Sequence, residues 1–148
     1  MPEAVKAREV TVTRVFDAPR EVVWKAWTEP EQLARWWGPH GWSTAPGDVE
    51  MDVRPGGGFR VSSVSVDGGA MTTEGVYREV VEPERLVFEE PAEQAWHDGA
   101  TSTLTLTDLG DGRTEMVLHS AIHTTEELGE MAAGGMKGAI DRLAELLA

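Results

Sequence analysis

The stretch from Phe16 to Pro39, FDAPREVVWKAWTEPEQLARWWGP, holds four of the chain's six tryptophans in two short proline-led segments of helical spacing and stops at Gly38-Pro39. Indole is the largest apolar side chain and its N–H wants a partner when buried, so such density marks either a core anchor or the wall of an apolar cavity. Pro19 suits a first helical turn, where a missing N–H costs nothing, and Val23 and Trp27 then share a face at i, i+4. This helix is predicted to end near Thr28. Thr28 with Pro30 and Glu31 has the spacing of a capping box, which predicts a second short helix carrying Leu33, Trp36 and Trp37 up to the Gly38-Pro39 stop.

Outside this stretch the pattern has period two. Before it, Val10, Val12 and Phe16 alternate with polar neighbours, apart from Val15, as in a strand with one buried face. After it, Val49, Met51 and Val53 oppose Asp48, Glu50, Asp52 and Arg54. Pro55-Gly56-Gly57-Gly58 reads as a turn, and Phe59 to Val66 as a strand whose apolar parity moves from Phe59 and Val61 to Val64 and Val66, which predicts a bulge near Ser62-Ser63. Met71 to Val81, Arg85 to Glu90, Thr101 to Leu109 and Thr114 to Ile122 follow as strands, parted by turn signals at Glu82-Pro83 and Asp111-Gly112 and a longer loop from Pro91 to Gly99. Such closely spaced turns predict an antiparallel meander.

Helical spacing returns at the end of the chain. Leu128, Met131 or Ala132, Met136, Ile140, Leu143 and Leu147 form one stripe, opened by Thr124-x-x-Glu127 as a second capping box. Gly134-Gly135 interrupts it with two poor helix formers, read equally well as a kinked start to the helix or as room beside it for a ligand or strand. The predicted order is β-α-α-β6-α. It describes an α+β fold in which a curved seven-stranded antiparallel sheet wraps a long C-terminal helix, with two short helices between the first two strands closing the remaining opening. A curved sheet and a straight helix do not fill each other completely, so space between them is expected.

Composition narrows what such a space could serve. The chain has 148 residues, 41% of them hydrophobic, enough for one sizeable core, and a single domain over 1–148 is expected. The absence of cysteine excludes disulfides and thiolate metal sites, and the lack of a basic-then-apolar leader or a bilayer-length apolar run predicts a soluble, cytoplasmic protein without membrane insertion. With 26 acidic and 13 basic residues the formal charge is −13, so no nucleic-acid partner is expected. Exposed aromatic surface around Trp42 or Trp96 would support a symmetric homodimer.

Several stretches together carry a family resemblance: the tryptophan-rich segment, Arg54-Pro55-Gly56-Gly57-Gly58-Phe59-Arg60, Gly75-Val76-Tyr77-Arg78-Glu79-Val80-Val81-Glu82-Pro83-Glu84-Arg85-Leu86-Val87-Phe88, and the terminal Ile140-Asp141-Arg142-Leu143-Ala144-Glu145-Leu146-Leu147. Over essentially its whole length the chain resembles the activator-of-heat-shock-protein-90-ATPase-homologue family of the START-like (SRPBCC) superfamily. The resemblance implies a helix-grip fold, in agreement with the order read from periodicity. It implies no single function, since relatives include co-chaperone domains, lipid and hydrophobic-ligand carriers, hormone receptors and polyketide cyclases. One departure is Gly135-Met136, where family members usually place Gly-Trp, exchanging a rigid indole for a flexible thioether.

The residues point to binding before chemistry. His40, His97, His119 and His123 show no short helical pair spacing for zinc, no serine sits on a G-x-S-x-G elbow, and Gly56-Gly57-Gly58 leads into a strand instead of a helix. No catalytic residue, metal site or cofactor is therefore expected. A carboxylate facing an apolar cavity could act as acid or base, and parity offers Glu79 and Asp108 for that role, but both fall near strand ends where solvent or arginine is the commoner partner. Arg60 is predicted to point outward or toward the helix end of the cavity. The expected function is the binding of a small hydrophobic or aromatic ligand in a pocket lined by Trp37, Phe59, Tyr77, Phe88, Leu104, Met116, Met136 and Ile140, with Tyr77 as polar handle. The alternatives are a cyclase or dehydratase using the same cavity and a heat-shock-protein-90 co-chaperone-like role in the stress response. Trp24 or Trp27 is expected to fix the short helices to the sheet, with Trp36 and Trp37 nearest the pocket mouth.

Overall fold

The alternating segments assemble into one antiparallel sheet. A computed structural model describes residues 5–38, 41–91 and 99–147. Its elements are β1 (Lys6–Phe16), α1 (Arg20–Thr28), α2 (Pro30–Leu33), β2 (Trp42–Ser43), β3 (Val49–Met51), β4 (Gly58–Ser65), β5 (Ala70–Val81), β6 (Arg85–Glu90), β7 (Ala100–Gly110), β8 (Arg113–Thr124) and α3 (Glu126–Leu146). The strands run β1-β8-β7-β6-β5-β4-β2 across the sheet, and β3 pairs with β4. The architecture is the α+β helix-grip read from the sequence, with one strand more than the seven predicted. The addition is β2, whose Trp42 and Ser43 pair with Ser65 and Val64; two residues are too few for a period to register.

The meander β4 to β8 follows from its turns, whereas β1 reaches its place by pairing with the last strand, from Lys6 opposite Thr124 to Phe16 opposite Thr114. That register directs Val12 and Phe16 to the core and leaves Val15 exposed on the outer face. Across the inner face lies α3, whose Ala139, Ile140 and Leu143 join Phe16, Leu104, Leu106 and Met116 in a single apolar cluster. Arg14 of β1 forms an ion pair with Asp141 of α3. From α1, Val23, Trp24, Ala26 and Trp27 are all buried, and the Trp24 indole Nε1 donates to Glu82 Oε1 at 3.0 Å.

Local details differ from expectation for identifiable reasons. No bulge occurs at Ser62-Ser63, because β4 pairs with β5 without a shift from Gly58 to Val64. Ser63 takes the buried position instead, its Oγ 2.7 Å from Thr44 Oγ1, while Val64 and Val66 lie exposed. A buried hydroxyl is tolerated once it has a partner, so apolar parity misreads this strand. The register shifts fall elsewhere, between Tyr77 and Glu79 and between Asp108 and Gly110. Thr28 does not cap α2 but donates its hydroxyl to Trp24 O at 2.8 Å. The second helix proper stops at Leu33, although Trp37 N still donates to Leu33 O at 3.0 Å, and Gly38 ends the run with φ of +88°. Pro39 lies outside the described residues.

The cap of α3 is shifted by one residue. Thr124 is the buried last residue of β8, and Thr125 accepts from Leu128 N at 3.3 Å. Replacing Thr125 by alanine is expected to cost about 1 kcal/mol of stability, read as a lower urea midpoint with an unchanged slope. An unaltered midpoint would show that the cap contributes nothing. Across Gly134-Gly135 the helix is continuous, so these glycines do not break its start.

Candidate functional site

Between the sheet and α3 lies a cavity of about 350 Å³. Inward-facing positions supply its sheet wall: Met71 and Thr73 of β5, Phe88 and Glu90 of β6, Ala100 and Ser102 of β7, and Leu118, Ser120 and Ile122 of β8. The helix wall is Leu128, Met131, Ala132, Gly135, Met136, Ala139 and Ile140 of α3, and Trp27, Trp36, Trp37, Gly38 and Trp42 close one side. Space remains because the facing positions are small, with Ala100, Ser102 and Ser120 on the sheet opposed by Ala132, Gly135 and Ala139 on the helix. Gly135 thus belongs to the cavity reading of the double glycine.

The Arg142 side chain holds the tryptophan side in place. Its Nη1 donates to the carbonyls of Gly38 at 2.8 Å, Trp42 at 3.2 Å and Trp37 at 3.3 Å, tying α3 to the backbone on both flanks of residues 39–40. Ring contacts continue along this wall: Trp27 meets Trp36 edge-on at 4.8 Å between centroids, and Trp36 meets Trp37 at 5.8 Å. The Trp36 indole donates to Ala26 O at 3.0 Å. The Trp27 indole N–H is buried without a hydrogen-bond partner among the described residues.

Of the eight residues predicted to line a pocket, Trp37, Phe88, Met136 and Ile140 stand in this wall. Phe59, Tyr77, Leu104 and Met116 do not; they are buried in the packed core. Leu104 and Met116 share the inner faces of β7 and β8 with wall residues but lie farther along those strands. Phe59 packs against Tyr77 at 5.2 Å and meets Phe88 edge-on at 5.6 Å, so this pair supports the wall from behind. Tyr77 therefore offers the cavity no polar handle, and burial pushes its phenol above the ordinary tyrosine value, keeping it neutral.

The polar groups that do reach the cavity went unremarked in the sequence. Ser102 and Ser120 are both buried wall residues, directly opposite each other on β7 and β8, with Oγ atoms 2.8 Å apart. Parity held the signal, since Ser102 alternates in phase with Leu104 and Leu106, and Ser120 with Leu118 and Ile122. Trp36 and Trp37, expected nearest the pocket mouth, both stand in the wall, as do Trp27 and Trp42, and of the two tryptophans offered as anchors only Trp24 lies outside it. Trp42 is half-buried here, which weakens it as a dimer contact, and Trp96 lies outside the described residues.

The remaining candidates sit on the surface. Glu79, carried out of parity by the register shift, accepts from Arg85 Nε at 3.0 Å, and Asp108 accepts from Gly110 N at 2.8 Å. Arg60 pairs with Glu74 at 3.2 Å on the outer face. His119 contacts Thr11 Oγ1 at 2.9 Å, while His40 and His97 lie outside the described residues. Among the described residues no three His, Cys, Asp or Glu side chains gather as a metal site, and no helix is long and apolar enough to cross a membrane.

Comparison with known proteins agrees with this architecture. A protein from Nitrosomonas europaea is 27% identical over 94% of this chain and 93% of its own, with a TM-score of 0.79. One from Mycobacterium smegmatis is 26% identical over 99% and 98%, with a TM-score of 0.75. An AHSA1 protein from Silicibacter pomeroyi, at 17% identity over 95% and 97% and a TM-score of 0.81, shows the likeness of fold alone. No curated protein matches in sequence. The family model described as Activator of Hsp90 ATPase homolog 1-like protein matches residues 17–148, every helix and every strand except β1, and the chain belongs to that family.

Proposed function

We propose that the chain binds a small hydrophobic or aromatic ligand between its sheet and α3. The observation that carries this reading is the cavity itself: about 350 Å³, walled by tryptophans, methionines and aliphatic side chains. Small-molecule pockets typically span about 300–1,000 Å³ and are mostly apolar with a few placed polar groups. Glu79 and Asp108, the carboxylates weighed for a cyclase or dehydratase, are hydrogen-bonded at the surface, which leaves Glu90 as the one carboxylate among the described wall residues. A cytoplasmic location is part of the same proposal.

Thermal denaturation against a panel of bicyclic aromatics and lipids, with native mass spectrometry of the purified chain, tests it. A ligand at about a hundred times its Kd is expected to raise the melting temperature by about 5–10 °C. Ala132→Trp, which directs an indole from α3 into the cavity, is expected to abolish that rise. If no compound raises the melting temperature of the parent chain, the reading fails.

A further inference from the structure

Two donors on residues of the cavity wall are unspent: the Trp27 indole N–H, buried without a partner among the described residues, and one hydroxyl of the Ser102–Ser120 pair on the sheet. Ser102 and Ser120 are 4% and 1% exposed, and the bond between their hydroxyls uses one of the two hydrogens. Among the described residues neither side chain makes another hydrogen bond, which leaves one O–H on the sheet side of a mostly apolar wall. Another buried hydroxyl pair, Thr44 with Ser63, is not part of this cavity's wall and reads as structural.

The charges around the cavity matter equally. No lysine, arginine or histidine stands among the described wall residues, and the one ionisable side chain there is acidic, Glu90. The chain as a whole carries formal charge −13. An anionic ligand would lose its hydration without gaining a counter-charge, which is strongly unfavourable at a buried site. A neutral oxygen faces no such penalty and can accept from the spare hydroxyl.

Resting on the ligand-binding reading above, we propose that the Ser102–Ser120 pair is the recognition point for the oxygen of a neutral, otherwise apolar ligand, a ketone or ether in class, and that the cavity rejects carboxylates such as fatty acids. The selectivity has two parts. The hydroxyl pair favours an acceptor over bare hydrocarbon, and the lack of cations among the described wall residues sets neutral ligands above anions.

Three probes of nearly equal shape separate these parts: 2-ethylnaphthalene, 2-acetylnaphthalene and 2-naphthoate, titrated calorimetrically into the parent chain and into the Ser102→Ala/Ser120→Ala variant. The ketone is expected to bind about five- to tenfold more tightly than the hydrocarbon, a ratio typical of one net hydrogen bond. Naphthoate is expected to bind at least about tenfold more weakly than the ketone, as an unpaired buried charge requires. In the double variant the ketone's advantage over the hydrocarbon should vanish.

Equal affinity for ketone and hydrocarbon, tightest binding of naphthoate, or a ketone advantage that survives in the variant would each overturn the inference while leaving hydrophobic binding intact. If none of the three binds the parent chain but other panel compounds do, the inference also fails. If nothing in either set binds, the underlying ligand-binding reading fails with it. Replacing both members of a hydrogen-bonded pair by apolar groups is nearly neutral for stability. Should the variant not fold, the ranking of the three probes on the parent chain decides alone.

Discussion

Trp36→Ala is expected to lower the unfolding free energy by about 3–5 kcal/mol, the range for deleting a buried aromatic side chain. Trp36 is 1% exposed and touches tryptophan rings on both sides, with centroids at 4.8 Å for Trp27 and 5.8 Å for Trp37. It has a second role that follows from a proline. Within a helix the Ala26 carbonyl would accept from the residue four positions on, but that residue is Pro30, which has no N–H. The indole of Trp36 supplies the missing donor at 3.0 Å. Alanine removes both the packing and the donor, so the loss should fall toward the upper end of the range. Trp36→Phe, which keeps most of the ring but not the N–H, is expected to cost about 1–3 kcal/mol for the buried carbonyl left unpaired. Urea unfolding followed by circular dichroism distinguishes them, and a loss below about 1 kcal/mol for Trp36→Ala would show that the site collapses around the deletion.

The same proline explains how far the tryptophan-rich segment could be read. Two proline-led helical pieces were legible because proline, glycine and a four-residue apolar spacing are local signals. Which tryptophan met which carbonyl was not, since Trp36 and Ala26 are brought together by the turn between the helices. The long strands were legible for a similar reason: over the alternating part of β7, Leu104 and Leu106 announce their face unaided. Ser63 was misread because a paired hydroxyl can occupy a core position that periodicity reserves for valine.

The cavity was legible as a face but not as a depth. Phe88, Leu104 and Met116 all point inward, yet only Phe88 meets open space, because filling is decided by the size of the residue across the gap. That partner is on α3, dozens of residues away in sequence. Gly135, Ala132 and Ala139 leave room opposite Ala100, Ser102 and Ser120, whereas Leu143 fills the interior farther along the helix. Size complementarity between distant elements is a tertiary property, and parity within one strand does not contain it.

Gly75→Ala is the second large effect expected, about 3 kcal/mol of lost stability, at the upper end for overpacking a close-packed interior. Gly75 lies within β5, opposite Phe59 of β4, and its backbone is not in the left-handed region, so glycine is needed there for space and not for conformation. A Cβ at this position would stand 2.6 Å from Phe59 Cε1 and closer still to the Glu89 carbonyl oxygen of β6. Neither neighbour yields readily. The Phe59 ring is held edge-on against Phe88 at 5.6 Å, and Glu89 is fixed between β5 and β7 by the sheet ladders. Phe88 is itself a cavity wall residue, so a displaced Phe59 should weaken ligand binding as well as lower the urea midpoint. Adding Phe59→Leu to Gly75→Ala separates the two collisions. If the ring is the main obstacle, the double variant should lose less than the two single losses added together, by more than about 0.5 kcal/mol. If the carbonyl dominates, the losses should simply add. A Gly75→Ala chain as stable as the parent would refute the close approach of β4, β5 and β6 on which this side of the cavity rests.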